Sequence, residues 1–264
     1  MSYETLQTQL NAGVALIWLN RPDVRNAMND TVIAELTDAF ERAAEDDDVR
    51  AIVLAGHGSA FCAGGDLNWM KRAREFTPDE NRADAAKLAR MLRTIYENPK
   101  PTVARVHGAA FAGGMGLVAA CDIAVASTDA KFCLSEVKLG LIPAMISPYV
   151  IRAIGEPKAR RYFLTAEVFE AAEAYRIGLV HDICVPEELD GTVNALLGHL
   201  VQGGPVALRE SKRLIRDVVG RPIDDALIGD TAARIAAARA SDEGQEGIAA
   251  FFDKRRPAWV PAQP

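Results

Sequence analysis

Nowhere does this sequence stay apolar long enough to cross a membrane as a helix. Its longest apolar region, Val103 to Ser127, is broken by His107, by several glycines and by Asp122, and a span needs about 20 mostly apolar residues. Basic charge is in the minority, with 30 Lys and Arg against 36 Asp and Glu, a net charge of -6 and a pI near 5.4. Binding to a phosphate backbone needs a concentrated basic surface, so nucleic acid is not expected as a partner. Any anion site must be local, as at Arg25, Lys71-Arg72 or Lys254-Arg255-Arg256. Cysteine is scarce: Cys62, Cys121, Cys133 and Cys184 show no CxxC spacing and stand in apolar surroundings. That argues against a disulfide frame or metal cage and fits buried thiols in a reducing cytoplasm. The first ten residues lack the basic and apolar regions of an export signal. No Ser, Gln, Pro or Gly tract marks a disordered linker. H-E-x-x-H, Ser-His-Asp spacing, the Walker pattern and a full dinucleotide fingerprint are all missing, which leaves metalloenzyme, hydrolase, nucleoside-triphosphate and NAD chemistry without support.

What is present suits one sizeable core, in one or two closely packed domains: 264 residues, 49% of them hydrophobic. Tyr3 to Leu10 and Val14 to Leu19 read as strands joined by the turn Asn11-Ala12-Gly13. Thr31 to Glu45 places Val32, Ile33, Leu36, Ala39, Phe40 and Ala43 at helical spacing, with Asp30 as the expected N-cap. A buried strand follows at Arg50 to Ala55, then a loop from Gly56 to Gly65, and a long helix from Pro78 to Tyr96. The rhythm returns with strand Thr102 to Val106, loop Gly108 to Gly114, helix Met115 to Ala120 and strand Ile123 to Ala126. Two such units predict a layered α/β core that presents its loops on one side. Beyond Pro186 the segments Glu187 to Val201, Val206 to Val219, Ile223 to Arg239 and Gly244 to Phe252 read as helices.

Two glycine-rich loops, Ala60 to Leu67 and Gly108 to Gly116, each follow a strand and open a helix. Without a Cβ a ligand can approach the backbone, and the N–H groups of a helix start point outward with the positive end of the helix dipole behind them. Two loops of this kind can converge on one oxygen as an oxyanion hole made of main chain. Glu136 lies in the apolar stretch Phe132 to Pro143, where desolvation makes a carboxylate a stronger base. Ion pairing with Lys138 or Arg152 is the alternative for it. Asp66 and Asp122 precede regular elements and read as caps. His107, at a strand end, reads as a hydrogen-bonded core histidine before it reads as a general base.

Taken in order, these segments resemble the crotonase, or enoyl-CoA hydratase/isomerase, superfamily. The likeness begins at Asn20 to Met28, passes through both glycine loops and Ser135-Glu136-Val137, and ends at Phe251 to Arg255. The resemblance implies an α/β fold, a spiral of ββα units over residues 1–200, followed by a helical oligomerisation region over 201–264. It also implies trimers, often stacked as hexamers, and an acyl-CoA thioester as substrate, with no cofactor beyond that coenzyme A and no metal. By position, the backbone N–H groups of Ala63 and Gly113 would hold the thioester oxygen, and Glu136 would be catalytic. Val24, Arg25 and Ala27, with Ala63, Gly64, Gly65, Asp66 and Leu67, match segments that line the coenzyme. Phe251 and Lys254 match residues that reach its nucleotide end, often from a neighbouring subunit.

Hydratases of this superfamily carry a second glutamate, and its position here is Gly116. The surroundings of Gly116, the stretch Glu136 to Val150 and Arg161 to Glu167 are similar to the branch that hydrates methylglutaconyl-CoA and carboxygeranoyl-CoA in leucine and acyclic terpenoid breakdown. The activity expected is hydration of a 2-enoyl-CoA. The alternatives are a double-bond isomerase, for which one carboxylate suffices, or a non-catalytic acyl-CoA-binding or RNA-associated relative.

Overall fold

The computed structural model describes residues 3–260. The chain opens with the hairpin of β1 (Leu6–Asn11) and β2 (Val14–Leu19). Ala12 and Gly13 both stand at positive φ, 48° and 79°, as the tight turn of such a hairpin requires. Then come α1 (Asp30–Glu45), β3 (Ala51–Gly56), α2 (Leu67–Ala73), α3 (Pro78–Tyr96), β4 (Thr102–Val106), β5 (Ala109–Phe111) and α4 (Gly113–Ala120). After β6 (Ile123–Ser127) and β7 (Lys131–Cys133) follow α5 (Ser147–Ile154), α6 (Glu156–Thr165), β8 (Phe169–Glu170), α7 (Ala171–Ile177) and β9 (Asp182–Cys184). Four helices complete the described chain: α8 (Leu189–Leu200), α9 (Pro205–Val218), α10 (Asp225–Ala240) and α11 (Asp242–Phe252).

Six strands form one sheet in the order β1-β2-β3-β4-β6-β9, parallel from β2 onward, and β5, β7 and β8 form a second, smaller sheet. The successive pairs β4/β5, β6/β7 and β9/β8 place one strand in each sheet, whereas β1, β2 and β3 all belong to the larger one. Side chains alternate across a strand. Ile17, Ile52, Leu54, Ala104 and Ala124 face α1, α3 and α4, while Val14, Val53, Val103 and Val125 face Leu189, Val193 and Leu197 of α8. Burial on both faces explains why β3 reads as an unbroken apolar run.

Several expectations are corrected here. Asn29, whose side chain accepts the Val32 N–H at 2.9 Å, caps α1; Asp30 is the first helical residue, and its carboxylate meets Arg72 at 2.9 Å. The Gly108–Gly114 segment is not all loop. It contains β5, three residues too short for a periodic signal and held by parallel pairing with β7. Asp122 is no cap: its Oδ2 accepts from the Thr102 N–H at 2.8 Å, the Thr102 hydroxyl at 2.9 Å and Lys212 Nζ at 2.7 Å, tying β4 and β6 to α9.

The strand ends of the larger sheet deliver both glycine loops to the same side. Gly108, at φ +56°, lies so close to the first loop that an added Cβ would stand 2.2 Å from the Ser59 carbonyl oxygen and 3.1 Å from the Ala60 Cα. Both are backbone atoms that cannot swing aside. Gly108→Ala is expected to cost about 2 kcal/mol or more, read as a lower urea midpoint with an unchanged slope.

Candidate active site

The first glycine loop is stitched on two sides. Toward β5, the Cys62 N–H donates to the Ala109 carbonyl at 2.9 Å, and the Phe111 N–H donates to the Cys62 carbonyl at 2.9 Å. Toward the Arg21–Met28 segment, the Ala63 N–H donates to the Arg25 carbonyl at 3.0 Å, Met28 N–H to the Gly64 carbonyl at 2.7 Å, and Asp66 N–H to the Met28 carbonyl at 2.8 Å. Asn26, buried and left-handed at φ 55°, locks that segment in place. Its Nδ2 donates to the carbonyls of His57 and Ala60, both at 2.8 Å, and its Oδ1 accepts the Arg21 N–H.

This stitching corrects the expected oxyanion donor. The Ala63 N–H is spent on Arg25 and faces away from any ligand. Beyond Gly64, at φ +101°, the chain changes course. Gly65 lies between two groups bonded to Met28, so its own N–H points away from Met28 and has no acceptor among the described residues. In the second loop Ala112, at φ 47°, donates its N–H to the Cys133 carbonyl at 2.8 Å. Gly113 then opens α4 with an N–H that likewise has no acceptor among the described residues, as the first turn of a helix dictates. The loops touch through backbone: a Cβ on Gly114 would stand 2.4 Å from the Cys62 carbonyl oxygen, and one on Gly64 would stand 3.3 Å from Ala112 Cβ. The free donors are thus Gly65 and Gly113.

Glu136 begins a single 3-10 turn, Glu136–Leu139, directly after β7. Neither suggested ion pair forms, because Lys138 Nζ donates to the Ala166 carbonyl at 2.7 Å and Arg152 donates to the Pro148 carbonyl at 3.1 Å. The Glu136 Oε2 is buried with no hydrogen-bond partner, and burial raises its carboxyl above the ordinary range, opposed only by its own backbone N–H. Three residues upstream, Cys133 holds Ala112 next to Gly113, so one hydrogen bond fixes the carboxylate segment against the start of α4.

The place of a second carboxylate is filled. Gly116 is one helical turn from Gly113, and a Cβ there would stand 2.2 Å from Ile146 Cγ2 and 2.8 Å from Ile146 Cβ. Ile146 is itself buried, at 2% exposure. From the sequence, Gly65 is expected only as a coenzyme contact and not as an oxyanion donor, and Ile146 and Asn26 are assigned no role. The motif Asn26-Ala27-Met28 and the Gly64-Gly65-Asp66 run held the signal for two of them, but which amide is free depends on partners far along the chain.

The remaining expected residues are scattered. Val24 and Arg25 are exposed at the end of a 3-10 turn, whereas Ala27 is buried. Asp66 is occupied as the cap of α2, accepting from Asn68 N–H at 2.8 Å and Trp69 N–H at 3.1 Å and pairing with Arg21 at 3.0 Å. Burial alone would raise its carboxyl, but these bonds hold it below the ordinary range. Leu67 is 74% exposed. Phe251 and Lys254 lie at the end of α11 and just beyond it, and no hydrogen bond, ion pair or ring contact joins them to either glycine loop among the described residues. His107 is half-buried; it donates from Nε2 to the Gly58 carbonyl at 2.9 Å, and its buried Nδ1 has no partner. The Cys62 thiol takes the Gly64 N–H, and burial pushes it up to about 12, which makes it no nucleophile.

Two free main-chain donors at adjoining glycine loops suit a carbonyl oxygen, and the desolvated Glu136 carboxylate, on the segment tied to the second loop through Cys133, suits proton transfer. Residues 9–261 match the family described as enoyl-CoA hydratase/isomerase. The chain belongs to that family. A crotonyl-CoA hydratase of Syntrophomonas wolfei is 31% identical over 262 residues, covering 98% of this chain and 99% of the relative. The crystal structure of an enoyl-CoA hydratase from Shewanella pealeana is 42% identical with a TM-score of 0.95, covering 97% of this chain and 96% of that one. Pseudomonas aeruginosa AtuE is 38% identical with a TM-score of 0.93, covering 98% of this chain and 100% of that one. The crotonase fold expected from the sequence is therefore the fold observed, and the chain is an enzyme of this family. No helix among the described residues is long and apolar enough to cross a membrane.

Two variants test this packing and electrostatics. Gly116→Glu alone is expected to lose about 3 kcal/mol or more, because it overpacks the core and buries a charge, and adding Ile146→Gly should recover part of the loss in urea denaturation. The folded-state pKa of Glu136 is held above its unfolded value, so this group's stabilisation is full below the unfolded pKa and is lost as pH rises through the folded pKa. Glu136→Gln should therefore be the more stable protein at neutral pH, with the gap closing below about pH 4.

Proposed function

We propose that the protein hydrates a 2-enoyl-CoA to the 3-hydroxyacyl-CoA. Water adds its oxygen to C3, a proton goes to C2, and the negative charge that develops on the thioester oxygen between these events is held by the N–H groups of Gly65 and Gly113. Glu136 takes the proton from water and returns one to C2. The observations that carry this reading are the buried, unpartnered Glu136 Oε2 and the hydrogen bond from Ala112 to the Cys133 carbonyl, which ties the chain just before Glu136 to the residue preceding the free amide of Gly113. Donors already aimed at the developing charge cost nothing to reorganise during the reaction, and a desolvated carboxylate is a base matched to neutral pH.

The coenzyme is assigned to the surface next to the first glycine loop, with Val24, Arg25, Leu67 and the Gly64–Asp66 backbone along its path, and Phe251 and Lys254 of a neighbouring copy at its nucleotide end. A cationic Lys254 suits a phosphate. Self-association as trimers or stacked trimers is drawn from the region beyond residue 200, where α9 buries no residue and α10 and α11 bury only Leu227 and Ala250. Ile215, Ile223, Ile228, Ile235, Phe251 and Phe252 are left exposed there, a larger apolar surface than an isolated domain ordinarily shows.

For the acyl group we propose a branched acid of the 3-methylglutaconyl type, whose own carboxylate supplies part of what a second glutamate would. Normal turnover of the methyl-ester analogue would overturn this preference. The second reading, a double-bond isomerase, is favoured by Ile146 occupying the space beside Gly116, since moving a proton between two carbons needs one carboxylate only. Incorporation of solvent oxygen separates the two readings.

Loss of the conjugated enoyl-thioester absorbance, followed with crotonyl-CoA and 3-methylglutaconyl-CoA side by side, is expected to favour the branched acid. Glu136→Gln should be slower by about 10²-fold or more. If neither thioester reacts, or the variant keeps wild-type speed, hydration by Glu136 is wrong.

A further inference from the structure

A cleft of about 520 Å3 opens at the far end of α4, bounded by Tyr96, Asp122, Tyr149, Arg152, His181 and Arg216 among others, and none of the residues assigned above to acyl-CoA lines it. We propose that this cleft is a second binding site, which takes a small organic carboxylate with an apolar body.

Some of the charges in the cleft are already spent. Lys212 and Asp122 form its floor as a closed pair at 2.7 Å; Asp122 also takes two bonds from Thr102, and Lys212 also reaches the Lys100 carbonyl at 3.3 Å. Together they present no net charge. Arg152 and Arg216 are different. Each makes one hydrogen bond to a carbonyl, of Pro148 at 3.1 Å and of Tyr96 at 3.3 Å, and neither joins an ion pair among the described residues. The acids close by are engaged elsewhere, Glu97 with Arg93 at 2.8 Å and Asp217 with Arg234 at 2.7 Å. Two arginines without an ion pair line one cleft, in a chain with 36 acidic residues against 30 basic ones, and this marks a place that is short of an anion.

His181 adds a third donor. Its Nδ1 accepts the Ala124 N–H at 3.1 Å, so the neutral ring carries its proton on Nε2. The walls supply the apolar part, from the edge-to-face pair of Tyr96 and Tyr149 at 5.3 Å and from Leu200 and Leu208. A volume of this size, mostly apolar with a few convergent polar groups, is characteristic of small-molecule sites, and the planar guanidinium fork matches a carboxylate in particular.

The test is isothermal titration of the full-length protein with octanoate and with its neutral isostere octanamide, in the presence of saturating acetyl-CoA to occupy the acyl-CoA site. Octanoate is expected to bind at least about tenfold tighter than octanamide, the scale of a hydrogen bond to a charged group. The Arg152→Met/Arg216→Met variant should bind both ligands alike, with its turnover of enoyl-CoA unchanged. If that variant does not fold, Arg152→Met alone, at an exposed position, should still weaken octanoate about tenfold. Equal binding of acid and amide, octanoate displaced by acetyl-CoA, or a variant that binds as the wild type does would overturn the proposal. A change in sedimentation mass of the variant would overturn it too, by assigning the arginines to a contact between copies. None of these readouts depends on whether Glu136 hydrates or isomerises.

Discussion

The Cys62 carbonyl is the point at which two distant segments of this chain are fitted together. It accepts the Phe111 N–H, and it lies against the first turn of α4 at a distance that only a glycine at 114 permits. If that contact opened, the two loops would separate, and the amides of Gly65 and Gly113 would no longer belong to one site. The strict geometry follows from the partners being backbone on both sides. Main-chain atoms have no rotamers with which to relieve a clash, so fit is achieved by omitting side chains.

The same construction decides the electrostatics. Most buried polar groups in the molecule are satisfied: Asp66 by two amides and Arg21, Asn26 by three backbone partners, Asp122 by Thr102 and Lys212. Glu136 is left with a buried oxygen that has no partner, and such a group costs stability unless it is used. On α4 the core has closed over Gly116 with Ile146, which leaves no room there for a longer side chain. The described residues thus offer one buried, unpartnered carboxylate oxygen, at Glu136, and an apolar side chain over Gly116.

Stability and association divide along the chain. The sheet and α8 share a core in which strands are buried on both faces. The helices after residue 204 leave large apolar side chains in the open, although the tail returns to the core where Arg50 donates to the carbonyls of Trp259 at 2.8 Å and Gly203 at 2.7 Å. The region is also held to the core through Lys212 on Asp122 and Arg216 on the Tyr96 carbonyl, so its exposed apolar side chains lie on helices that are fixed in place.

By itself the sequence determined the regular elements whose signal is periodic and local. The helices over 30–45 and 78–96 and the strand over 102–106 follow from apolar spacing, although the cap of the first is Asn29 and not Asp30, and Glu136 stands out because a carboxylate in an apolar run is costly wherever the chain takes it. The ordered set of motifs was enough for the family. Only the tertiary structure decided which amide is free: Ala63 and Gly65 are alike in sequence, but Arg25, nearly forty residues upstream, takes the hydrogen bond of the first and Met28 turns the second away. It decided likewise that β5 is a strand, because its pairing with β7 is non-local, and that Gly116 is covered by Ile146. Spacing along the chain specifies which face of an element is apolar. Which donor remains unpaired is fixed by contacts between segments that meet only when the chain is folded.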